Sequence, residues 1–329
     1  MRRHRRAAAR IAAGAVLLAL LLWWVDPHEL WRLLRTADPA WLALGLVLAA
    51  AANAASALRW WALARWLGAC VSIGWALAAY FRGVAVNALL PGAVVGGDLY
   101  RAHALAGRGL PWFEASLSVL GDRLSGLWLL VVIGALAAAG LLQGAAGVPL
   151  GRLHALAFGG FGPWALAGMA ALALLLPLAL LLAWQRGIAR PRAGPAPGER
   201  PWHRRLLLLA HRPRALAQYG WQLLGSTAVQ LLSIGTLACG GMALGIDLPA
   251  WAWAAAAVPI FLLATLPLSV GGWGTREAAA VIALAVFGVA APQAVAVSML
   301  YGLAALVQAL GGLVLLVGHR RRAARSAGP

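Results

Sequence analysis

Long stretches without charge alternate with short, arginine-rich ones along this chain. Residues 39–58, 124–151, 153–185, 215–246, 248–275 and 278–319 contain no Asp, Glu, Lys or Arg. A helix of about 20 apolar residues crosses a bilayer core, and in lipid only a helix or a closed barrel satisfies its own backbone. The pattern therefore predicts an all-α polytopic membrane protein, a single integral membrane domain over residues 1–329. Full spans are expected near 7–25, 41–58, 116–142, 164–184, 218–246 and 295–317. Between the first two, residues 26–39 place Leu30, Trp31, Leu33 and Leu34 at helical spacing among charges. That spacing suits an amphipathic helix lying in the interface, or a plain connecting loop.

Two apolar segments are interrupted. Residues 72–108 contain Pro91-Gly92 and Gly96-Gly97, and residues 250–290 contain a second break at 267–274. Counting each segment as one crossing puts residues 186–214, with eight arginines, outside the cell. The positive-inside rule argues against that. The conflict disappears if 72–108 is a re-entrant hairpin entering and leaving on the cytoplasmic side. By the same parity, 250–290 is a hairpin from the outer side, or else two full spans. The expected architecture is about six full transmembrane helices plus two opposed re-entrant hairpins, an inverted repeat.

Composition agrees with this class and changes one point. Hydrophobic residues make up 63% and charged residues 11%, against about 25% charged in an average soluble domain. All 27 basic residues are arginine, and the net charge is +18. In a soluble protein that balance would point to nucleic acid. Here the positions decide otherwise: arginines crowd the first ten residues, the 186–214 loop and the 320–329 tail, all flanking apolar spans. They read as topology determinants and contacts for anionic lipid, with no nucleic-acid partner. The location implied is the cytoplasmic membrane, with both termini and the 186–214 loop in the cytoplasm. The basic start and the apolar run at 11–25 imitate a signal peptide without a cleavage site, so an uncleaved signal-anchor is expected. Cys70 and Cys239 read as buried apolar side chains. No cofactor or metal is expected.

The two breaks resemble each other. The first reads Leu90-Pro91-Gly92-Ala93-Val94-Val95-Gly96-Gly97-Asp98-Leu99-Tyr100-Arg101. The second reads Leu266-Pro267-Leu268-Ser269-Val270-Gly271-Gly272-Trp273-Gly274-Thr275-Arg276-Glu277. Each runs from Leu-Pro through a short apolar stretch to Gly-Gly, with arginine four residues beyond the second glycine. Broken helices in opposite halves are where inverted-repeat transporters hold their substrates. The chemistry on offer is anion binding. A half-helix start presents unpaired N–H groups, and glycine lets a phosphate approach the backbone. Arg101 and Arg276, with Arg82 as a third, supply forked donors. Asp98 and Glu277 neutralise those arginines when no ligand is bound. The structural alternative makes Asp98 and Thr275 helix N-caps and the glycines close-packing positions.

Two further groups sit in apolar surroundings. Asp122 and Arg123 are adjacent, so on a helix they point about 100° apart and each requires a partner elsewhere. Arg101 or Arg276 suits Asp122. Asn87, one turn before Pro91, is placed to bond carbonyls that the proline frees. The substrate-binding candidates are thus Asn87, Pro91, Gly96, Gly97, Asp98, Arg101, Asp122, Arg123, Pro267, Ser269, Gly272, Gly274, Arg276 and Glu277.

At these residues, together with Arg59-Trp60, the chain resembles the transmembrane region of lysylphosphatidylglycerol synthases, over roughly residues 10–320. The resemblance implies a flippase-like membrane protein that moves a lipid between leaflets. In the full-length synthases a separate soluble domain makes the aminoacylated lipid. The sequence stops at Pro329 before any such domain, so synthase activity is not expected. No P-loop, paired-carboxylate or Ser-His constellation suggests catalysis. Two functions remain: transport of a phosphate-bearing lipid with an anionic head group, of phospholipid or polyprenyl-phosphate type, or service as a partner of a membrane-bound lipid-modifying enzyme.

Overall fold

The computed structural model describes residues 27–89, 94–144, 162–186, 208–209, 211–265 and 272–326. Among them the chain forms ten helices and no strand. These are α1 (Pro27–Thr36), α2 (Pro39–Trp66), α3 (Ile73–Leu89), α4 (Val94–Ala106) and α5 (Trp112–Gly144), followed by α6 (Pro163–Gln185), α7 (Ala215–Ala243), α8 (Ala250–Thr265), α9 (Thr275–Ala285) and α10 (Ala291–Ser326). Five of them, α2, α5, α6, α7 and α10, are long and apolar enough to cross a membrane. The span expected at 7–25 and most of the 186–214 loop lie outside the described residues, as do Pro91, Pro267 and Ser269.

Local chemistry explains the first turns of the bundle. Asp38 caps α2 by accepting the Ala40 N–H at 2.8 Å, and Pro39 sits at the first helical position, where its missing N–H costs nothing. The expected interfacial helix is α1. Its Leu30, Leu33 and Leu34 pack against Val295 and Ala296 of α10, while Trp31 stays exposed with the Arg35 guanidinium over its ring. At its other end, α2 overruns the span expected at 41–58 by two turns. The uncharged run ends at Leu58, but Arg59 is buried and paired, so the helix continues through it to Trp66.

Helices α2 and α7 run antiparallel along their whole lengths. The Asp38 N–H bonds the Ala243 carbonyl at one end. At the other, Trp66 donates to the Pro213 carbonyl and Arg212 donates to that of Trp66. Small residues permit the approach between them: a Cβ at Gly45 would lie 3.2 Å from the Cβ of Cys239.

Around this pair the two halves are packed alike. The α3–α4 and α8–α9 hairpins each lie between the flanking long helices of their own half. Helix α3 also packs on α10, and its counterpart α8 packs on α5. The α3–α4 hairpin returns to where it began, because Trp60, Val71, Ala76, Leu105 and Leu110 share one core and Arg108 lies over the Trp75 ring. The α8–α9 hairpin does the same at the opposite end of the bundle. There Ile246, Trp253, Leu284 and Val289 share a core and Trp251 meets Phe287 edge-on. One correction concerns the cysteines. Cys239 is buried, but Cys70 is exposed, because it falls in the turn between α2 and α3 rather than on a helix face.

Candidate functional site

Arg59, on α2, is clasped by two neighbouring helices, α5 and α7. Its Nε donates to Asp122 Oδ1 at 2.9 Å, one terminal nitrogen to the Asp122 carbonyl at 2.9 Å, and the other to Ser226 Oγ at 2.7 Å. Gly126 of α5 and Gly225 of α7 leave the room its side chain occupies. Asp122 in turn accepts from Arg101 at 2.9 Å. Arg101 also donates to Asp98 at 2.7 Å. Asp98 finally takes the Nε and a terminal nitrogen of Arg123 at 2.9 and 3.0 Å. The result is a continuous ladder of alternating charge, Arg59–Asp122–Arg101–Asp98–Arg123, running across α2, α5 and α4. Burial is steep along it. The Arg101 and Asp122 side chains are 4% and 2% exposed, whereas Arg123 is 36% exposed.

The second half carries a shorter counterpart. Arg276 donates to Glu277 Oε1 at 2.7 Å and to Ser298 Oγ at 3.0 Å. Ser298 donates to the same carboxylate at 2.9 Å. The other Glu277 oxygen accepts the Gly274 N–H at 2.6 Å, which closes the first turn of α9. Gly272 and Gly274 take φ values of 80° and 89°, a region where a side chain is strained. Both arginines are also held by aromatic faces. Arg101 lies over Trp60 and Tyr80 at 5.3 and 4.7 Å, and Arg276 over Trp273 and Tyr301 at 4.9 and 5.9 Å. Such cation–π contacts stabilise a desolvated guanidinium by about 2 kcal/mol.

A cavity of about 420 Å³ lies between the two hairpins. Helix α3 contributes Val84, Asn87 and Ala88. Helix α8 contributes Phe261, Ala264 and Thr265. The α9 start contributes Trp273 and Arg276, α5 contributes Arg123, and α10 supplies Tyr301, Gly302, Ala305, Leu306 and Ala309. Its walls are mainly apolar, and a guanidinium from each half faces it. This volume lies in the range of small-ligand sites.

The site expected from the repeat is thus partly assembled and partly rearranged. Arg123, Arg276 and Asn87 line the cavity. Arg101 does not; it is enclosed by carboxylates and aromatic rings, and Arg123 occupies the cavity side of the ladder instead. Arg82 is not among the lining residues either. Asp98 is not an N-cap, because α4 starts at Val94 and places Gly96, Gly97 and Asp98 inside the helix. Asn87 Oδ1 accepts the Gly97 N–H at 2.6 Å and so ties α3 to α4; the role expected for it beside Pro91 falls on residues outside those described. The Gly97 and Gly274 N–H groups are therefore already bonded, and positive charge reaches the cavity from guanidiniums. Arg59, which carries part of the family resemblance, was not among the expected site residues, because its partner lies 63 residues away. Apart from that resemblance, its signal was a charge within an otherwise helix-forming apolar stretch.

Family comparison now agrees with the geometry. The model for the lysylphosphatidylglycerol synthase TM region matches residues 10–312. The chain belongs to that family. No curated protein matches it. As a member of this family, with five apolar helices of spanning length among its described residues, it is a multi-pass membrane protein of lipid-related processes. The matched region contains every residue of the charge ladder and of the cavity.

Proposed function

We propose that this protein moves a phosphate-bearing lipid across the cytoplasmic membrane, with the head group passing through the cavity between the hairpins. The observation that carries this reading is the cavity itself: about 420 Å³, mainly apolar, with Arg123 from one half and Arg276 from the other. Guanidinium is the side chain best matched to phosphate oxygens, through its forked donors. A charge held in the bilayer without function is disfavoured by roughly 2.5–3.5 kcal/mol at a helix centre. Hairpins that open to opposite ends of the bundle would place the cavity within reach of both leaflets in turn. In this reading they are re-entrant, the full spans number six with 7–25 included, and both termini and the 186–214 loop are cytoplasmic.

The test is transbilayer movement in liposomes containing the purified protein. Labelled phosphatidylglycerol should change leaflet without ATP, and diacylglycerol, which lacks phosphate, should lag far behind. Equal rates for the two lipids would overturn the reading. A reporter fused at residue 200 tests the orientation separately.

A further inference from the structure

The two guanidiniums that face the cavity are held very differently. Arg276 is locked. Its side chain is 4% exposed, its partner Glu277 is fully buried, and that carboxylate also closes α9 and accepts from Ser298. Pulling Glu277 away would break the first turn of the helix. Among the described residues Arg123 has one carboxylate partner, Asp98, and both ends of that pair are accessible, at 36% and 20% exposure. Its contact with Asp98 is side-on, one carboxylate oxygen against Nε and the other against a terminal nitrogen. Two phosphate oxygens present the same two-point edge to a guanidinium. Asp98, moreover, can release Arg123 without being stranded, since it keeps the Arg101 guanidinium at 2.7 Å.

We propose that Asp98 is an internal stand-in for the ligand's phosphate: Arg123 exchanges the Asp98 carboxylate for the phosphate group when the site is filled, and takes it back on release. Arg101, held by Asp122 on its far side, is a positioning residue that keeps Asp98 in place through the exchange. This proposal rests on reading the cavity as a head-group site. It adds which arginine takes the phosphate and what competes with it. The shared ligand chemistry is a phosphate with two free oxygens, whether on a lipid or in solution.

Binding and movement are measured on the purified full-length protein. The binding probes are short-chain phosphatidylglycerol and, in a separate arm, inorganic phosphate. Asp98→Asn should bind phosphatidylglycerol at least about tenfold tighter, because removing a charged competitor is equivalent to 1.4 kcal/mol or more. The same variant should move the lipid more slowly in liposomes, because nothing displaces it. Arg123→Gln leaves Asp98 paired with Arg101 and should lose binding, which tests the exchange even where Asp98→Asn does not fold. The proposal is overturned if Asp98→Asn binds no tighter than the wild type, or if Arg123→Gln binds as well as the wild type. A wild type that moves phosphatidylglycerol alongside either result leaves the transport reading standing without the exchange. Tighter binding by Asp98→Asn with no movement by any variant supports the exchange and removes the transport reading. Equal enhancement for inorganic phosphate also supports it and assigns the site to free phosphate.

Discussion

Asp122 is shared by Arg59 and Arg101, which approach its two carboxylate oxygens from different helices, each at 2.9 Å. One nearly inaccessible side chain therefore joins α2, α4 and α5. Without it, two buried guanidiniums would face each other with one carboxylate, Asp98, between them and solvent.

Replacement of Asp122 should thus act on stability before function. Asp122→Asn keeps the shape and removes the charge, and breaking one side of a buried ion pair typically costs about 3–5 kcal/mol. A marked fall in Tm in detergent is expected. A Tm like that of the wild type would show that the ladder does not hold the helices together.

Arg276 and Glu277 form a pair whose members can be removed together. Arg276→Gln alone should destabilise α9, because it strands a buried carboxylate. The double variant Arg276→Gln with Glu277→Gln should recover most of the lost Tm yet remain inactive in lipid movement. Activity restored along with folding would mean that Arg276 has no part in ligand binding.

Gly302 sits where α10 meets the Arg276 guanidinium, and a Cβ there would fall on that group. The obstructing atoms are the far end of a flexible side chain, so the helix need not move. Moving the guanidinium off Glu277 strands that buried carboxylate, so Gly302→Ala should lower Tm in the same direction as Arg276→Gln and cut the rate of lipid movement by about tenfold or more. An unchanged rate would count against Arg276 in its present position.

The antiparallel contact of α2 with α7 offers a direct geometric check. Gly45→Cys, made with Cys70→Ala, would bring a new thiol opposite Cys239: the two Cβ positions are 3.2 Å apart, so a shift of a few tenths of an ångström reaches the spacing of about 3.5–4.5 Å in a disulfide. Mild oxidation should link the two helices. The link shows as two fragments held together after cleavage at a protease site introduced within 187–207. Fragments that separate would refute the packing.

Much of this was legible in the amino-acid order. The lengths of the uncharged runs gave five of the helices, because bilayer thickness and helix rise leave little freedom. The shared Leu-Pro…Gly-Gly…Arg pattern marked both hairpins. Glu277 was expected to neutralise an arginine of the break, and it bonds Arg276 at 2.7 Å. Where partners lay far apart, the reading weakened. The N-cap assignment for Asp98 assumed that α4 begins after Gly97, whereas it begins at Val94. The tie from Asn87 to the Gly97 N–H of α4 was not visible either, because it depends on how the two arms of the hairpin pack.

By itself the sequence determined that the chain spans a membrane, where most helices lie, and which charges interrupt its apolar segments. Those are local quantities, set by hydrophobic length and by the cost of placing a guanidinium in hydrocarbon. Only the tertiary structure decided that Arg59 joins Asp122, that Arg101 is enclosed, and that Arg123 faces the cavity in its place. Helical periodicity tells which side of its own helix a residue occupies, but not which helix lies opposite. That choice belongs to the packing of α2 on α7 and of the hairpins on α5 and α10, where small residues many positions apart allow the helices to meet.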